Sequence, residues 1–260
     1  MRRFRDPTRL VSRLRARPVP APAAASAEPA PQLQADEVPD WLRQDALDNL
    51  NMRRVVSFVL GPDDSAIDIG CNHGGLLGEI VRVAPDGRHI AFEPIPELAA
   101  ELRQRFPHVT IHEAAASNRS GKTTFAHVRA ADGWSGLKFR PLPTGQDGDV
   151  VEIEVVLERL DDVIDPELRP ALVKIDVEGA EQQVIEGALE TLRRHVPTLL
   201  FEHGLGSANV FGTEPDDIYR LLVEEVGYRI FDLDGTGPYT LDEFKHSYHA
   251  AERVNYLAHR

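Results

Sequence analysis

The chain reads as an α/β protein: a doubly wound, mostly parallel sheet with a β insertion ahead of the fourth core strand. Three observations predict this. Short apolar runs alternate with helix-length amphipathic segments, the pattern of strands joined by crossover helices. The run at 66–70 passes straight into a glycine-rich turn, AIDIGCNHGG over residues 66–75. The run inside LVKIDVEGAEQQVIEG, residues 172–187, ends in Asp176 and Glu178, where an open α/β sheet binds its ligands.

The first 40 residues stand apart from the rest. Asp6 and Pro7 form an N-cap and first-turn pair, and Leu10, Val11 and Leu14 oppose Arg9, Arg13 and Arg17 until Pro18 ends the helix. Ala and Pro then dominate up to Pro31, the composition of an extended linker. Residues 1–40 are therefore expected to be a disordered basic segment and linker, followed by one domain over 41–260. For the basic segment the open readings are a weak anionic-membrane contact through 1–17, an organelle transit peptide, or a silent extension.

From residue 41 to 60, Leu42, Ala46, Leu50, Val55, Phe58 and Val59 recur at helical spacing, and Gly61-Pro62 ends the helix. Strands are predicted at 66–70, 89–93, 109–113, 171–176, 198–203 and 228–232. Helices are predicted at 75–84, 96–106, 179–194 and 214–226. Between the third and fourth core strands, 122–128 and 150–157 read as two insertion strands joined by a Gly- and Pro-rich loop. Trp134 lies in that loop, as a substrate contact or a packing lid.

Composition bounds the partners. With 260 residues, 42% hydrophobic and 27% charged, the chain can bury one sizeable core. The net charge is −13, yet residues 1–34 hold seven Arg against Asp6 and Glu28, so the remainder carries −18. So acidic a body repels phosphates and argues against a nucleic-acid partner. Cys71 is the single cysteine, which excludes an intrachain disulfide and suits a cytoplasmic location. Within the turn it reads as a small residue under a ligand rather than a nucleophile. No apolar run approaches the roughly 18 residues of a membrane span.

In the turn, Gly70 bends the chain off its strand and Gly74 leaves room for a ligand against the backbone. Asp68 precedes them and Asn72 lies between them. The spacing is not the GxGxxG of dinucleotide sites, which disfavours a nicotinamide-dependent oxidoreductase. Roughly 20 residues on, HIAFEP ends an apolar strand in Glu93, whose carboxylate can accept from both hydroxyls of a ribose. Ala115, in EAAAS at 113–117, offers a small side chain where an adenine can slide in.

In order, AIDIGCNHGG, AFEP, EAAAS, LERLDDVI, LVKIDVEGAEQQVIEGA and PTLLFEHG closely resemble the FkbM family of methyltransferases. Its KIDVEGAE hallmark is matched at 174–181, and the resemblance runs from about residue 66 to the end. It implies a Rossmann-like class I methyltransferase sheet, S-adenosyl-L-methionine as methyl donor, and O-methylation of a hydroxyl on a sugar, glycolipid or polyketide. It places Asp68, Gly70, Asn72 and Gly74 around the methionine end of the cofactor, Glu93 at the ribose and Ala115 near the adenine. Cys71 and His73 depart from the residues usual there.

A hydroxyl needs a base to take its proton as the new bond forms. Asp176 and Glu178, with Glu202 and His203 at the next strand tip, are the catalytic candidates. His203 is the expected base, because an imidazole titrates near neutrality, with Asp176 orienting the acceptor or the cofactor's amino group. Glu178 and Glu181 also suit a helix start on capping grounds alone. Lys174 reads as a salt bridge to a neighbouring strand. A metal-assisted alternative gathers Asp176, Glu178, Glu202 and His203 around one Mg²⁺; the spacing permits it, but no metal site is predicted. The acceptor, expected to be a small or lipid-linked hydroxylated molecule, would be covered by 118–160 and 204–213. The different-class alternative is a non-catalytic methyltransferase-like interaction module.

Overall fold

Seven strands form the main sheet of this computed structural model, which describes residues 39–140 and 149–260. The basic helix and the linker expected before residue 39 lie outside the described residues. The first part of the chain runs α1 (Asp40–Val59), β1 (Ser65–Ile69), α2 (Gly75–Val83), β2 (Ile90–Phe92), α3 (Pro96–Arg105), β3 (Thr110–His112) and β4 (Ala115–Ala116). Next come β5 (Gly121–Val128), β6 (Val150–Glu158), α4 (Leu160–Val163), β7 (Pro170–Ile175), α5 (Glu181–Gly187), α6 (Leu189–His195) and β8 (Thr198–Glu202). The last part holds α7 (Ala208–Phe211), α8 (Pro215–Tyr219), β9 (Arg229–Asp232), α9 (Leu241–His249) and β10 (Asn255–His259).

Strand order is β3-β2-β1-β7-β8-β10-β9. The five strands from β3 to β8 are parallel, and β10 runs antiparallel between β8 and β9. β1 and β7, the strands carrying the glycine turn and the acidic tip, are direct neighbours with Asp68 opposite Lys174. That adjacency brings the two sequence motifs to one edge of the sheet.

The pleat sorts the faces. Ile67, Ile69, Val173, Ile175, Leu199 and Phe201 point into a core shared with α5, α6 and α9. Ala66, Leu172 and Leu200 point the other way, onto Val56 of α1, Leu60 just after it and Ile80 of α2. Asp68 and Lys174 follow Ala66 and Leu172 by two positions, so they lie on the α1 side.

The insertion forms its own sheet, β4-β6-β5, with β5 and β6 antiparallel from Gly121 opposite Leu157 to Val128 opposite Val150. Ala115 and Ala116, read only as small residues at a strand tip, form the short β4 beside β6. Two expected helices differ in detail. The one at 179–194 is divided at Ala188, beside Gly187, where a Cβ would come within 2.0 Å of the Ser117 carbonyl oxygen. The one at 214–226 starts as α8 and widens into a π-helical segment, Arg220–Val226. Beyond residue 232, α9 and β10 were not among the expected elements. Among the described residues, no helix is long and apolar enough to cross a membrane.

Candidate active site

β1 delivers Asp68 and then turns at Gly70, whose φ is 75°. A Cβ on Gly70 would sit 1.8 Å from the Asp176 carbonyl oxygen, so only glycine lets the turn pass the tip of β7. The Gly70 and Cys71 N–H groups both donate to the Phe92 carbonyl, at 3.0 and 3.2 Å, tying the turn to β2. Gly74 has a different reason for being glycine. A Cβ there would lie 2.6 Å from Leu102 and 2.8 Å from Phe106, so it permits packing of α3 rather than the approach of a ligand.

A cavity of about 240 Å³ opens above the turn. Asp68, Gly70, Asn72, Glu93 and Ala115 all line it; Gly74 does not. Glu93 is 4% exposed. Its two oxygens accept from the Asn72 N–H at 2.8 Å and the Ile95 N–H at 2.9 Å, leaving lone pairs on each for further donors. Burial pushes its carboxyl up, while those two N–H groups hold it down. Phe92, Ile95, Ala114, Ala116, Phe125 and Leu137 line a flat apolar stretch beside it. Cys71 is buried, which pushes its thiol up and leaves it unreactive, as expected of a small residue under the site.

At the opposite end, Lys174 Nζ donates to the Gly70 carbonyl at 2.7 Å and stands 3.4 Å from both Asp68 and Asp176. Burial opposes its charge, but the two carboxylates outweigh this and raise its pKa. Asp68 is buried, and neither of its oxygens has a close hydrogen-bond partner. Burial raises its pKa against the pull of Lys174.

Asp176, Glu178 and Glu202 each bring one carboxylate oxygen within 4.8 Å of the others. Asp176 is open to the cavity, with 37% of its side chain exposed. Burial of the site works against its charge, yet Lys174, a hydrogen bond from Glu202 and Arg140 hold its pKa below the usual range. Burial and the neighbouring Asp176 and Glu181 push Glu202 well up, the opposite direction to Asp176. Glu178 takes a left-handed backbone, φ 60°, and pairs with Arg140. Glu181 closes the turn by accepting from the Val177 and Gly179 N–H groups at 3.1 and 3.0 Å, the capping role open to it from sequence. Burial pushes its carboxyl up to about 7.

His203 requires a correction. It does not line the cavity. Its ring is 0% exposed, stacked on Tyr248 at 4.7 Å and Phe244 at 5.7 Å, and neither ring nitrogen has a hydrogen-bond partner. Burial alone lowers its pKa to about 4. The reason is the pleat: consecutive residues face opposite ways, so with Glu202 at the acidic cluster, His203 enters the apolar side with Phe201. It also takes no part in the carboxylate group that could hold a cation.

Other residues came to the site unannounced. Asn49 and Met52 reach the cavity from α1, and Phe125, Asp132, Gly133, Ser135 and Leu137 reach it from the insertion. Asp132 also joins His127 at 2.8 Å to His73 of the glycine turn at 3.2 Å. Trp134 carries the Arg140 guanidinium 4.1 Å above its ring. The sequence marked this loop through Trp134 and through the expectation that 118–160 covers the acceptor, without singling out these residues.

The mostly parallel sheet and its glycine turn are those of a Rossmann-like methyltransferase fold. The Methyltransferase FkbM domain matches residues 68–230, and the chain belongs to that family. It is 32% identical over 157 residues to the 2-O-methyltransferase NoeI of Sinorhizobium fredii, covering 55% of this chain and 64% of that protein. It is 24% identical over 181 residues to the AMB antimetabolite synthetase AmbE of Pseudomonas aeruginosa, covering 56% of this chain and 8% of that one. Among solved structures, methyltransferase FkbM from Methylobacillus flagellatus aligns with a TM-score of 0.49 at 17% identity, over 86% of this chain and 56% of that chain. The chain therefore spans less than two thirds of each of these relatives.

S-adenosyl-L-methionine is the cofactor of this family, and the residues present fit it. Asp68 offers a buried carboxylate and Asn72 an Oδ1, none of these oxygens within a hydrogen bond of a neighbour, a donor set that fits a cationic amino acid moiety. Glu93 and the apolar stretch suit a ribose and an adenine.

Proposed function

We propose that this chain is an S-adenosylmethionine-dependent O-methyltransferase acting on a hydroxyl of a small molecule or carbohydrate. The observation that carries the reading is Asp176. It is a carboxylate in the same cavity as Asp68 and Glu93, 3.4 Å from the Lys174 ammonium, and Lys174, Glu202 and Arg140 hold its pKa low against burial. The likeness to a 2-O-methyltransferase supports a hydroxyl acceptor.

The cofactor supplies an electrophilic methyl group on a sulfonium. Asp68 and Asn72 would hold its amino acid end, Glu93 its ribose, and Ala115 with Phe125 and Ile95 its adenine. Asp176 would accept the acceptor's hydroxyl proton as the methyl passes from sulfur to oxygen, the carbon–sulfur bond breaking as the oxygen–carbon bond forms. A late transfer of this kind needs a carboxylate in place rather than a strong base, and is worth roughly 10²–10⁴ in rate. Alignment of the acceptor supplies several kcal/mol more, roughly, and here it falls to Glu178, Glu202 and the insertion. His203 has no role in the reaction.

The acceptor enters between the insertion and the loop after β8. Those two segments already touch, since Lys138 Nζ donates to the Val210 carbonyl at 3.0 Å and lies 4.8 Å over the Phe211 ring. The test is transfer of labelled methyl to a panel of mono- and oligosaccharides and hydroxylated small molecules. Asp176→Asn should lower kcat about 100-fold while retaining affinity for S-adenosylhomocysteine. Undiminished turnover by Asp176→Asn would remove Asp176 as the base.

A further inference from the structure

Several carboxylates crowded at two strand tips keep their charge only with a cation among them. The tips of β7 and β8 gather Asp176, Glu178 and Glu202, with Glu181 close by. Lys174 balances the floor of the site, where it serves Asp68, Asp176 and the Gly70 carbonyl. The outer carboxylates are left to a second cation, and the insertion supplies one.

Arg140 pairs with Glu178, and both side chains are largely buried, 12% and 18% exposed. Its charge also acts on Glu202, Asp176 and Glu181. The guanidinium lies 4.1 Å over the Trp134 ring, a face that holds a planar cation in place. The segment bearing both residues is anchored at three points. Gly136 exchanges backbone hydrogen bonds with Ala126, at 2.9 and 3.1 Å, and Ser135 Oγ accepts from the Val128 N–H at 2.9 Å. Lys138 fixes the far end on Val210.

We propose that Arg140 is the resident counter-ion of the Asp176–Glu178–Glu202 cluster, in the place a divalent metal would otherwise take, so that docking of the insertion completes the acceptor end without a metal ion. This rests on reading that cluster as the acceptor end. A guanidinium already seated on Glu178 repels a dication and occupies one of its three carboxylate ligands. Arg140 is thus a positioning residue, acting through Glu178.

Manganese binding, read from the paramagnetic resonance signal of free Mn²⁺, tests this on the full chain and its variants. The intact chain and Arg140→Lys should leave Mn²⁺ free. Arg140→Gln should bind one Mn²⁺ at least tenfold more tightly, and Arg140→Gln with Glu178→Gln should lose that site again. Turnover of the intact chain should be unchanged by excess EDTA. Arg140→Gln should lose kcat at unchanged affinity for S-adenosylhomocysteine, a result that also shows it folds, and Arg140→Lys should restore part of the loss. Tight Mn²⁺ binding by the intact chain that Glu178→Gln abolishes would overturn the proposal, as would an Arg140→Gln protein that gains no site. The base assignment fails separately, through an active Asp176→Asn, and leaves the Mn²⁺ outcome standing.

Discussion

Lys174 on β7 reaches across to β1 and stands 3.4 Å from the buried carboxylate of Asp68. The same ammonium lies 3.4 Å from Asp176 and bonds the Gly70 carbonyl, so one side chain joins the cofactor turn, its acid and the proposed base. The salt bridge to a neighbouring strand expected from sequence is therefore present, and it sits under the centre of the site.

Lys174→Met tests that role. It removes the ammonium facing a buried Asp68 carboxylate, and breaking a buried pair in this way costs about 3–5 kcal/mol. Urea unfolding should show that loss. A change under 1 kcal/mol, roughly the worth of an exposed pair, would mean that the ammonium contributes little here.

Gly70→Ala and Gly212→Ala form a matched pair. Both glycines have φ 75°, so alanine carries a left-handed backbone penalty of about 1–2 kcal/mol at either site. At Gly212 a Cβ meets nothing within 4 Å, whereas at Gly70 it meets the Asp176 carbonyl oxygen at 1.8 Å. Gly70→Ala should therefore lose clearly more stability in denaturant unfolding, and cofactor binding with it. Equal losses would show that the turn moves freely away from β7.

His203 gives a pH prediction. Its pKa falls to about 4 in the folded chain because burial disfavours the imidazolium. The unfolded chain, with an ordinary value near 6.5, binds the proton first as pH falls. The neutral ring's contribution is therefore complete above about pH 6.5 and is lost progressively towards pH 4, on the order of 3 kcal/mol. His203→Leu should flatten stability against pH across that window, measured by thermal unfolding, and should leave methyl transfer intact. Loss of turnover in a stably folded His203→Leu protein would return the histidine to the reaction.

The central strands, the glycine turn and the acidic tip were legible because each is local. An apolar run, a φ-positive glycine and a terminal carboxylate all occur within a few residues. Glu93 was legible by its distance from the turn. His203 was not legible as a core residue because the pleat decides it: of two adjacent residues at one strand tip, only one can join Asp176 and Glu178, and Glu202 is that one. The α9–β10 unit was passed over although Thr240 and Glu243 form a capping box, with Thr240 accepting from the Glu243 N–H at 3.3 Å. The hydroxyl of Tyr256 on β10 bonds Ser247 of α9 at 2.9 Å, a helix-to-strand contact that spacing does not announce. Arg140 and Asp132 were invisible for the same reason. Their partners lie 38 residues ahead at Glu178 and 59 behind at His73, and only the folded insertion brings them together.

The most direct test is calorimetric titration of the purified chain with S-adenosylhomocysteine, beside Glu93→Ala. The account predicts one site of micromolar affinity in the intact chain, weakened at least tenfold in a folded Glu93→Ala protein. No binding by the folded intact chain, or equal binding by both proteins, would contradict the placement of the cofactor between Asp68 and Glu93.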